Sequence, residues 1–368
     1  MTAQHKVKLL VFHPAIAPYR IDFFNDLSER FDMSMYLPVH SFNHFIDNDH
    51  LFRQLTFAPK YIFKTDHRKD HLFSIRYWSI IKKERPDAVL TSEFSANTIM
   101  TLLFRWLTGG RFRIITICDD SPDFISGGSK RHRFFRNWLL KKVDDAVFSS
   151  DEVTAWSRNK YGKGVFFPII RDETRARNNY KAALQRSAQL VDRHSLKDKT
   201  VVLFVGRLVR EKNIGLLIRG FSKCKSAGMQ LVIVGDGAER NHLLQIAGEC
   251  GVNAIFTGRL EGEALDAWYN VATVFVLPSI TEPFGAVVNE ALLAGCYTLV
   301  SDKCGAKCLI VDGDNGSVFA SGSDNDLSKK LDDYISNAPK VDSVTLRPDL
   351  MRHPYSELIK NVFAAIDC

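Results

Sequence analysis

The segment Ser279–Gly295 reads SITEPFGAVVNEALLAG, and it decides the fold class of this chain. It follows the apolar run Val274–Leu277, which has the length and composition of a buried strand. We predict a helix that begins at Pro283, because proline is favoured at the first helical position. Gly295 is placed to end that helix, since glycine is common just past a helix C-terminus. The segment therefore predicts one strand–loop–helix unit of an α/β protein.

The same unit recurs along the chain. Short apolar runs alternate with longer amphipathic stretches, and this spacing predicts parallel sheets in the α/β class. The expected strands are Val7–Phe12, Met33–Leu37, Ala88–Thr91, Arg113–Ile117, Ala146–Ser149, Val201–Val205, Gln230–Val234, Ala254–Phe256, Val274–Leu277 and Thr298–Ser301. The expected helices between them include Gly215–Lys225, Arg240–Cys250, Val287–Leu293 and a long polar pattern over 173–195.

Length and composition favour two domains. The chain has 368 residues, 45% of them hydrophobic and 25% charged, which excludes a disordered or collagen-like chain and a small disulfide-stapled one. The best linker candidate is Gly162–Asp172, where Pro168 ends a strand-like run. We therefore expect a first domain over 1–168 and a second over 169–353. The last stretch, 354–368, has helical apolar spacing, and such a stripe must be buried against another element.

Charge is unevenly divided between the two halves. Residues 1–180 hold 28 Lys and Arg against 20 Asp and Glu, a net charge of +8, whereas residues 181–368 hold 21 against 22, a net charge of −1. We expect the first half to meet something anionic, such as a phosphate-rich acceptor or lipid headgroups. Nucleic acid is not expected, because no recognised binding motif accompanies the charge. The seven scattered cysteines form no Cys-x-x-Cys pair and favour reduced thiols in the cytosol.

Two carboxylates in the opening segment indicate a polyhydroxy ligand. Glu282 and Glu290 are eight residues apart, which is about 12 Å if one helix joins them. The helix N-terminus would offer the amides of Phe284 and Gly285 to an anion such as a diphosphate. One carboxylate can accept hydrogen bonds from sugar hydroxyls and the other from ribose hydroxyls. If both were instead surface charges of a helix, neither would point to a ligand.

A second polar loop follows the predicted strand Val201–Val205. After Gly206, the residues Arg207 and Lys212 place two cations at the carboxyl end of that strand. Open α/β sheets bind their ligands at this edge. Arg207 can grip phosphate oxygens bidentately, and Lys212 can act as a point charge on a leaving diphosphate. The order of the two loops along the chain favours one shared site.

Together these motifs resemble the donor site of retaining GT-B glycosyltransferases of family 4. The matching residues, within about 200–320, are Gly206-Arg207, Glu211-Lys212-Asn213, Val234-Gly235-Asp236-Gly237, Glu282-Pro283-Phe284-Gly285 and Glu290. The resemblance implies two Rossmann-like domains with parallel sheets facing across a cleft, and a final helix that crosses back to the first domain. It implies donor contacts by Gly206, Arg207, Lys212, Gly235, Gly258, Arg259, Leu260, Glu282, Phe284, Gly285 and Glu290, with catalytic roles for Arg207, Lys212 and Glu282.

The resemblance also implies the reaction, which is retaining transfer of a hexosyl or N-acetylhexosaminyl group from a nucleoside diphosphate sugar to an acceptor hydroxyl. No cofactor or metal is expected, because two cations and a helix N-terminus can neutralise the leaving diphosphate. UDP is expected as the carrier ahead of GDP. The expected acceptor is a glycan or lipid-linked glycan in surface polysaccharide assembly. The expected location is the cytoplasm, with peripheral contact at the inner face of the membrane.

The first half matches the family loosely. Relatives often have a glycine-rich loop after the first strand, but here that segment reads HPAIAPYR over 13–20. We consider four residues in the segments that follow predicted strands as sugar or acceptor contacts, namely His13, Tyr19, Asp119 and Asp120. Two alternatives stay open, because His13 can be a structural histidine and the Asp pair can cap a turn.

A basic, aromatic segment covers residues 130–142. Phe134, Phe135, Trp138 and Leu139 form one predicted stripe, surrounded by Lys and Arg. Either this stripe packs on its own sheet while the charges face water, or the helix rests on anionic lipid. The sequence leaves both alternatives open.

Two other functions remain open as well. A nucleotide-sugar epimerase on the same fold would need acid and base groups beside the sugar ring, for which Asp119 and Asp120 are the candidates. A non-catalytic nucleotide-sugar-binding scaffold would have no reason to keep all four charged residues of the donor motif. We therefore expect a transferase, with these two as alternatives.

Overall fold

The computed structural model describes residues 6–38, 52–63, 74–119, 125, 127, 129–336, 341 and 344–367. The chain divides into two compact units. Unit 1 comprises Met1–Ile170 with Tyr355–Cys368, and unit 2 comprises Arg171–Pro354. These limits lie within two residues of the domain boundaries expected from the sequence. Among the described residues, no helix is both long enough and apolar enough to cross a membrane.

Unit 1 is built on a sheet of parallel strands. The strands are β1 (Lys8–Phe12), β2 (Asp32–Leu37), β3 (Lys60–Tyr61), β4 (Ala88–Ser92), β5 (Arg113–Cys118), β6 (Asp145–Phe148) and β7 (Val165–Phe166). Within the described ranges they lie in the order β3-β2-β1-β4-β5-β6-β7. Every residue of β4 is buried, as continuous apolar runs predict for parallel strands covered on both faces.

Helices cover this sheet. They are α1 (Ile21–Arg30), α2 (Arg76–Glu84), α3 (Ala96–Thr108), α4 (Lys130–Lys142), α5 (Asp151–Tyr161) and, from the end of the chain, α13 (Tyr355–Asp367). Phe363 of α13 packs edge-on against Phe31, with ring centroids 5.7 Å apart. Because β4, β5 and β6 are successive parallel neighbours, their right-handed crossovers place α3 and α4 on the same face of the sheet.

Unit 2 repeats the architecture with six described parallel strands in the order β10-β9-β8-β11-β12-β13. They are β8 (Thr200–Val205), β9 (Met229–Val234), β10 (Ile255–Gly258), β11 (Val274–Leu277), β12 (Tyr297–Ser301) and β13 (Gly316–Phe319). The helices are α6 (Glu173–Ala182), α7 (Leu184–Arg193), α8 (Ile214–Ser222), α9 (Arg240–Glu249), α10 (Glu263–Val271), α11 (Val287–Leu293) and α12 (Asp324–Ile335).

Two expectations about helices are wrong. The polar pattern over 173–195 is two helices, α6 and α7, because the chain tightens at Ala183, whose amide donates to both Asn179 and Lys181. Helix α11 begins at Val287 rather than at Pro283. The preceding residues stay outside the helix because the amides of Gly305 and Ala306 donate to the carbonyls of Glu282 and Phe284, at 3.0 and 2.7 Å. The 12 Å helical spacing assumed for the two carboxylates therefore does not apply.

Candidate active site

Three glycines shape the carboxyl edge of the unit 2 sheet. Gly206, Gly235 and Gly258 follow or end the adjacent strands β8, β9 and β10. The amide of Gly206 donates to Val234 at 3.0 Å, and that of Gly235 donates to Gly258 at 2.8 Å. A Cβ on Gly235 would overlap the carbonyl oxygen of Gly206. The family motif glycine at 235 is thus required by the close approach of two backbone segments.

Lys212 and Glu282 form an ion pair at this edge. Lys212 ends the 3-10 turn Arg210–Lys212, which Asn213 closes in the left-handed region with φ 49°. Glu282 follows β11, where its backbone is bridged to Cys304 beyond β12. Both side chains are largely buried, 17% and 11% exposed. Lys212, predicted to bind phosphate, and Glu282, predicted to bind a sugar, are therefore in direct contact in the structure.

The loop after Glu282 presents two backbone donors. Within the described chain, the amides of Phe284 and Gly285 take part in no hydrogen bond. Gly285 has φ 95°, and a Cβ there would lie 2.7 Å from Leu277. Burial, and then the charge of Glu282, raise the pKa of the neighbouring Cys304 thiol to about 12, so this cysteine stays protonated. The loop can thus offer amides to an anion, whereas Cys304 serves packing.

Glu290 is held by groups that the sequence did not reveal. The hydroxyl of Tyr269 donates to Glu290 Oε2 at 2.9 Å, and Arg171 Nη1 lies 3.7 Å from Oε1. The hydroxyl of Tyr180 donates to the main-chain oxygen of Glu290 at 3.0 Å. Burial, and then Glu290, raise the pKa of Tyr269 well above its ordinary value, which keeps it a donor. No motif marks either tyrosine, since Tyr180 lies within a polar helical pattern and Tyr269 within an amphipathic one.

A buried carboxyl lies beside this group. Asp266 of α10 is 8% exposed, and burial raises its pKa to about 6. The charge of Arg171 opposes that shift, whereas Glu290 and Glu263 add to it. The guanidinium of Arg171 thus interacts electrostatically with both Asp266 and Glu290.

The remaining predicted donor residues lie apart from these pairs. Arg207 is exposed, and its guanidinium has no ion-pair partner among the described residues. Arg259 is paired with Glu261, two residues away, and both side chains are more than half exposed. Leu260 is half-buried between them. Arg207 is therefore available to a ligand, while Arg259 would have to leave Glu261 to bind one.

In unit 1, three of the four considered residues surround a buried arginine. Arg20 is 1% exposed and pairs with Asp119, and its guanidinium lies 5.3 Å from the ring of Phe23. Burial lowers the pKa of His13 to about 4, with the charge of Asp119 opposing this shift. Burial and Asp119 raise the pKa of Tyr19. Asp120 lies outside the described residues. Arg20 was missed because an arginine in a short loop carries no sequence signal of burial.

Helix α4 does not bury one aromatic stripe. Leu139 and Leu140 make its core contacts, whereas Phe134, Phe135 and Trp138 are exposed. Phe135 and Trp138 stack on each other at 6.0 Å. The expectation of a single stripe that includes Leu139 is therefore wrong, and the aromatic residues face outward among the basic ones.

No group of three or more His, Cys, Asp or Glu suited to a metal ion occurs in the part of the chain that the structure describes. Asp314, in the Asp-Gly-Asp sequence, pairs with Arg352 in a turn where the Gly313 amide donates to Gly316.

Comparison with known proteins concentrates on unit 2. Residues 187–345 match the family model for glycosyl transferases group 1. The chain is 38% identical over 122 residues to an uncharacterized glycosyltransferase of Methanocaldococcus jannaschii, covering 32% of this chain and 31% of that protein. It is 32% identical over 137 residues to alpha-D-kanosaminyltransferase of Streptomyces kanamyceticus, covering 36% of each. The chain thus spans about a third of the length of these curated relatives.

Solved structures match the whole chain in fold. HepE from Anabaena, in complex with UDP, aligns with a TM-score of 0.74 at 16% identity, covering 98% of this chain and 99% of that one. This likeness and the two parallel sheets confirm the GT-B fold class predicted from the sequence.

Proposed function

We propose that this protein, whose residues 187–345 belong to the glycosyl transferases group 1, is a retaining glycosyltransferase that uses a nucleoside diphosphate sugar. The observation that carries the proposal is the ion pair of Lys212 and Glu282 at the carboxyl edge of the unit 2 sheet. It lies within the segment that matches the family model, with the exposed cation Arg207 on the same loop as Lys212. Cations and a carboxylate converging at such an edge suit a diphosphate joined to a sugar.

The chemistry follows from these groups. Lys212 and Arg207 would hold the diphosphate, with the amides of Phe284 and Gly285 as further donors to its oxygens. Glu282 would accept hydrogen bonds from sugar hydroxyls, and Glu290 from the ribose. The acceptor hydroxyl attacks the anomeric carbon as the bond to the diphosphate breaks, and its proton passes to the departing phosphate oxygen. This use of side-chain and backbone charge supports metal-independent transfer without a cofactor.

We assign the acceptor to unit 1, as a glycan or lipid-linked glycan. Tyr19 and Asp119 lie in the polar cluster around Arg20. His13 remains neutral at physiological pH because burial lowers its pKa to about 4. Its Nδ1–H donates to the carbonyl of Ala15, so Nε2 is the ring nitrogen left to accept a hydrogen bond. UDP is the first donor nucleotide to test and GDP the second.

Thermal unfolding with UDP, GDP and their sugar conjugates, in EDTA, tests the donor site. A ligand at about 100 times its dissociation constant stabilises the folded protein by about 2.7 kcal/mol, which corresponds to a shift of several degrees. We expect a shift with one nucleotide despite the chelator. The absence of a shift with all of them would refute an open, metal-free donor site.

Single substitutions separate the proposed roles. Glu290→Ala should weaken binding of the nucleotide itself. Glu282→Ala should reduce turnover and sugar discrimination, but UDP should bind as well as before or better, because Lys212 loses its competing partner. Product analysis by NMR should show a new glycosidic bond with retained anomeric configuration. Wild-type transfer by both variants would make the site assignment wrong, and an epimerised donor without a new bond would establish the epimerase.

We also propose peripheral contact of residues 130–142 with anionic lipid at the cytoplasmic face of the membrane. The support is the outward position of Phe134, Phe135 and Trp138 among basic residues on α4. Replacing Phe134, which is 75% exposed, by Ser should lower binding to vesicles containing phosphatidylglycerol. Unchanged binding would leave α4 as an ordinary surface helix.

A further inference from the structure

A second, unassigned groove lies in unit 1. It has a volume of about 600 Å³ and is lined where β1, β4 and β5 begin, so it lies at the amino edge of the sheet, opposite the strand ends that carry His13 and Asp119. Four of its lining residues are cations, namely Lys82, Arg85, Arg111 and Arg113. This concentration of positive charge plays no part in the chemistry proposed above.

The groove lining has more cations than carboxylates. Within the described ranges, none of the four cations forms an ion pair, and Arg113 Nε is buried without a hydrogen-bond partner. Two carboxylates line the same groove, of which only Asp367 is paired with a cation outside the lining, because the partner of Asp87 is a neutral amide. Asp87 accepts from the amide of Lys8 at 2.9 Å, and Asp367 accepts from Arg30 at 2.6 Å. The groove is therefore suited to an anion that would meet several cations at once.

Beside the groove, α3 exposes apolar side chains to solvent. Trp106 is 77% exposed and Leu107 57%, and Leu103 adds a third member at helical spacing. A helix on the surface of a soluble domain normally presents polar residues on that face. Phe104 of the same helix lines the groove, as does Phe112, which follows the loop after α3. An apolar stripe and a cationic groove thus meet at the end of α3.

We propose that this groove binds the phosphate of an anionic lipid headgroup, while Trp106 and Leu107 enter the interfacial layer of the bilayer. Lysine and arginine side chains attract an anionic membrane surface, and an exposed tryptophan favours the headgroup level. A soluble phosphate would need the cations but not the apolar stripe, so the combination favours a lipid. The groove has no lining residue from α4, although Arg105, next to Trp106, donates to the main-chain oxygen of Lys142 at the end of α4 at 2.8 Å. The proposal does not depend on the glycosyl transfer proposed for unit 2.

Vesicle co-sedimentation tests the site, with phosphatidylcholine alone compared with phosphatidylcholine plus phosphatidylglycerol. Arg85→Gln and Arg111→Gln should each weaken binding to the anionic vesicles about fivefold, with a smaller effect at high salt. Trp106→Ser should weaken it about tenfold or more. Lys329→Gln and Leu244→Ser, which change an exposed cation and an exposed leucine of unit 2, are the matched controls and should bind as wild type.

Three results would overturn the proposal. The first is wild-type binding to anionic vesicles by all three groove variants. The second is displacement of the vesicles by soluble glycerol phosphate at concentrations matching the lipid phosphate, since that would identify a free-phosphate site. The third is self-association without vesicles that Trp106→Ser abolishes, since that would assign the stripe to a second copy of the chain. Because Phe134→Ser changes α4 alone, its result distinguishes the α4 contact from this one.

Discussion

Tyr269 should control how Glu290 recognises a ribose. Its hydroxyl donates to Glu290 Oε2 at 2.9 Å, and a hydrogen bond to a charged group contributes about 1.5–3 kcal/mol. Glu290 is 21% exposed and keeps Arg171 at 3.7 Å, so water and Arg171 replace part of the lost interaction in Tyr269→Phe. We therefore expect Tyr269→Phe to lose about 1–2 kcal/mol in the free energy of unfolding. UDP binding should weaken because the carboxylate is less well positioned, by no more than the roughly 5- to 30-fold to which that energy corresponds.

Calorimetric titration with UDP and its 3′-deoxy analogue separates positioning from general damage. The wild type should prefer UDP, and Tyr269→Phe should narrow that preference, because a misplaced carboxylate gains little from the hydroxyl. Tyr180→Phe is the matched control, since its hydroxyl donates at 3.0 Å to the main-chain oxygen of Glu290 rather than to the carboxylate. Equal effects of the two substitutions on the UDP preference, or an unchanged preference in Tyr269→Phe, would refute the reasoning.

Other predictions concern stability. Gly235→Ala should cost about 1–3 kcal/mol more in thermal unfolding than Gly251→Ala, because a Cβ at Gly235 overlaps a backbone carbonyl whereas Gly251, also at positive φ, has open space around it; equal losses would exclude the overlap. Burial raises the pKa of Asp266 from 3.8 to about 6, so ionisation of this carboxyl lowers the stability of the folded protein at neutral pH. Asp266→Asn should therefore be more stable than the wild type at pH 7 by up to about 3 kcal/mol, and should show no gain near pH 4. Calorimetric unfolding at both pH values checks this. The pH dependence of His13 has the opposite sign, because its pKa is lowered from 6.5 to about 4. Its contribution to the free energy of unfolding is full above pH 6.5 and is lost as the pH falls towards 4. His13→Gln should therefore reduce the loss of stability between pH 6.5 and pH 4, and an unchanged dependence of stability on pH would contradict the lowered pKa.

The strand pattern made the fold predictable, because a parallel strand buried on both faces must be apolar along its length. Val201–Val205 and Val274–Leu277 are such runs, and they form β8 and β11 with little or no shift of their ends. The short edge strands β3 and β13 were not predicted. Each has one neighbour in the described sheet and needs no continuous apolar run, so its sequence looks like a loop.

The start of α11 shows where local rules fail. The preference for proline at the first helical position predicted that the helix begins at Pro283. The carbonyls of Glu282 and Phe284 instead accept hydrogen bonds from amides more than twenty positions later in the chain. Such pairing depends on Gly305, where a Cβ would overlap the carbonyl oxygen of Pro283. A long-range backbone contact thus overrides a local preference, and no reading of the segment by itself could reveal it.

The sequence allowed the charged residues of the candidate site to be nominated, but it did not reveal the side chains that hold their carboxylates in place. Lys212 and Glu282 belong to loops with recognisable motifs, whereas Tyr269 and Arg20 act because they are buried beside a carboxylate. Burial of a polar side chain is decided by the packing of elements distant in sequence, as with Arg20 and Asp119, 99 residues apart. Motifs therefore indicate which groups are expected to meet a ligand, and only the packed structure identifies which groups hold them in place.

The pairing of Lys212 with Glu282 bears on how a donor would be chosen. If Lys212 turns to a diphosphate, Glu282 loses its counter-charge while remaining only 11% exposed. A nucleotide without a sugar has no sugar hydroxyl to donate to that carboxylate, whereas a nucleotide sugar supplies such hydroxyls. The lost ion pair is therefore replaced on both sides only when the ligand carries a diphosphate for Lys212 and a sugar for Glu282. If the proposed function holds, the intact donor should bind more tightly than the free nucleotide left after transfer, and the return of Lys212 to Glu282 should favour product release.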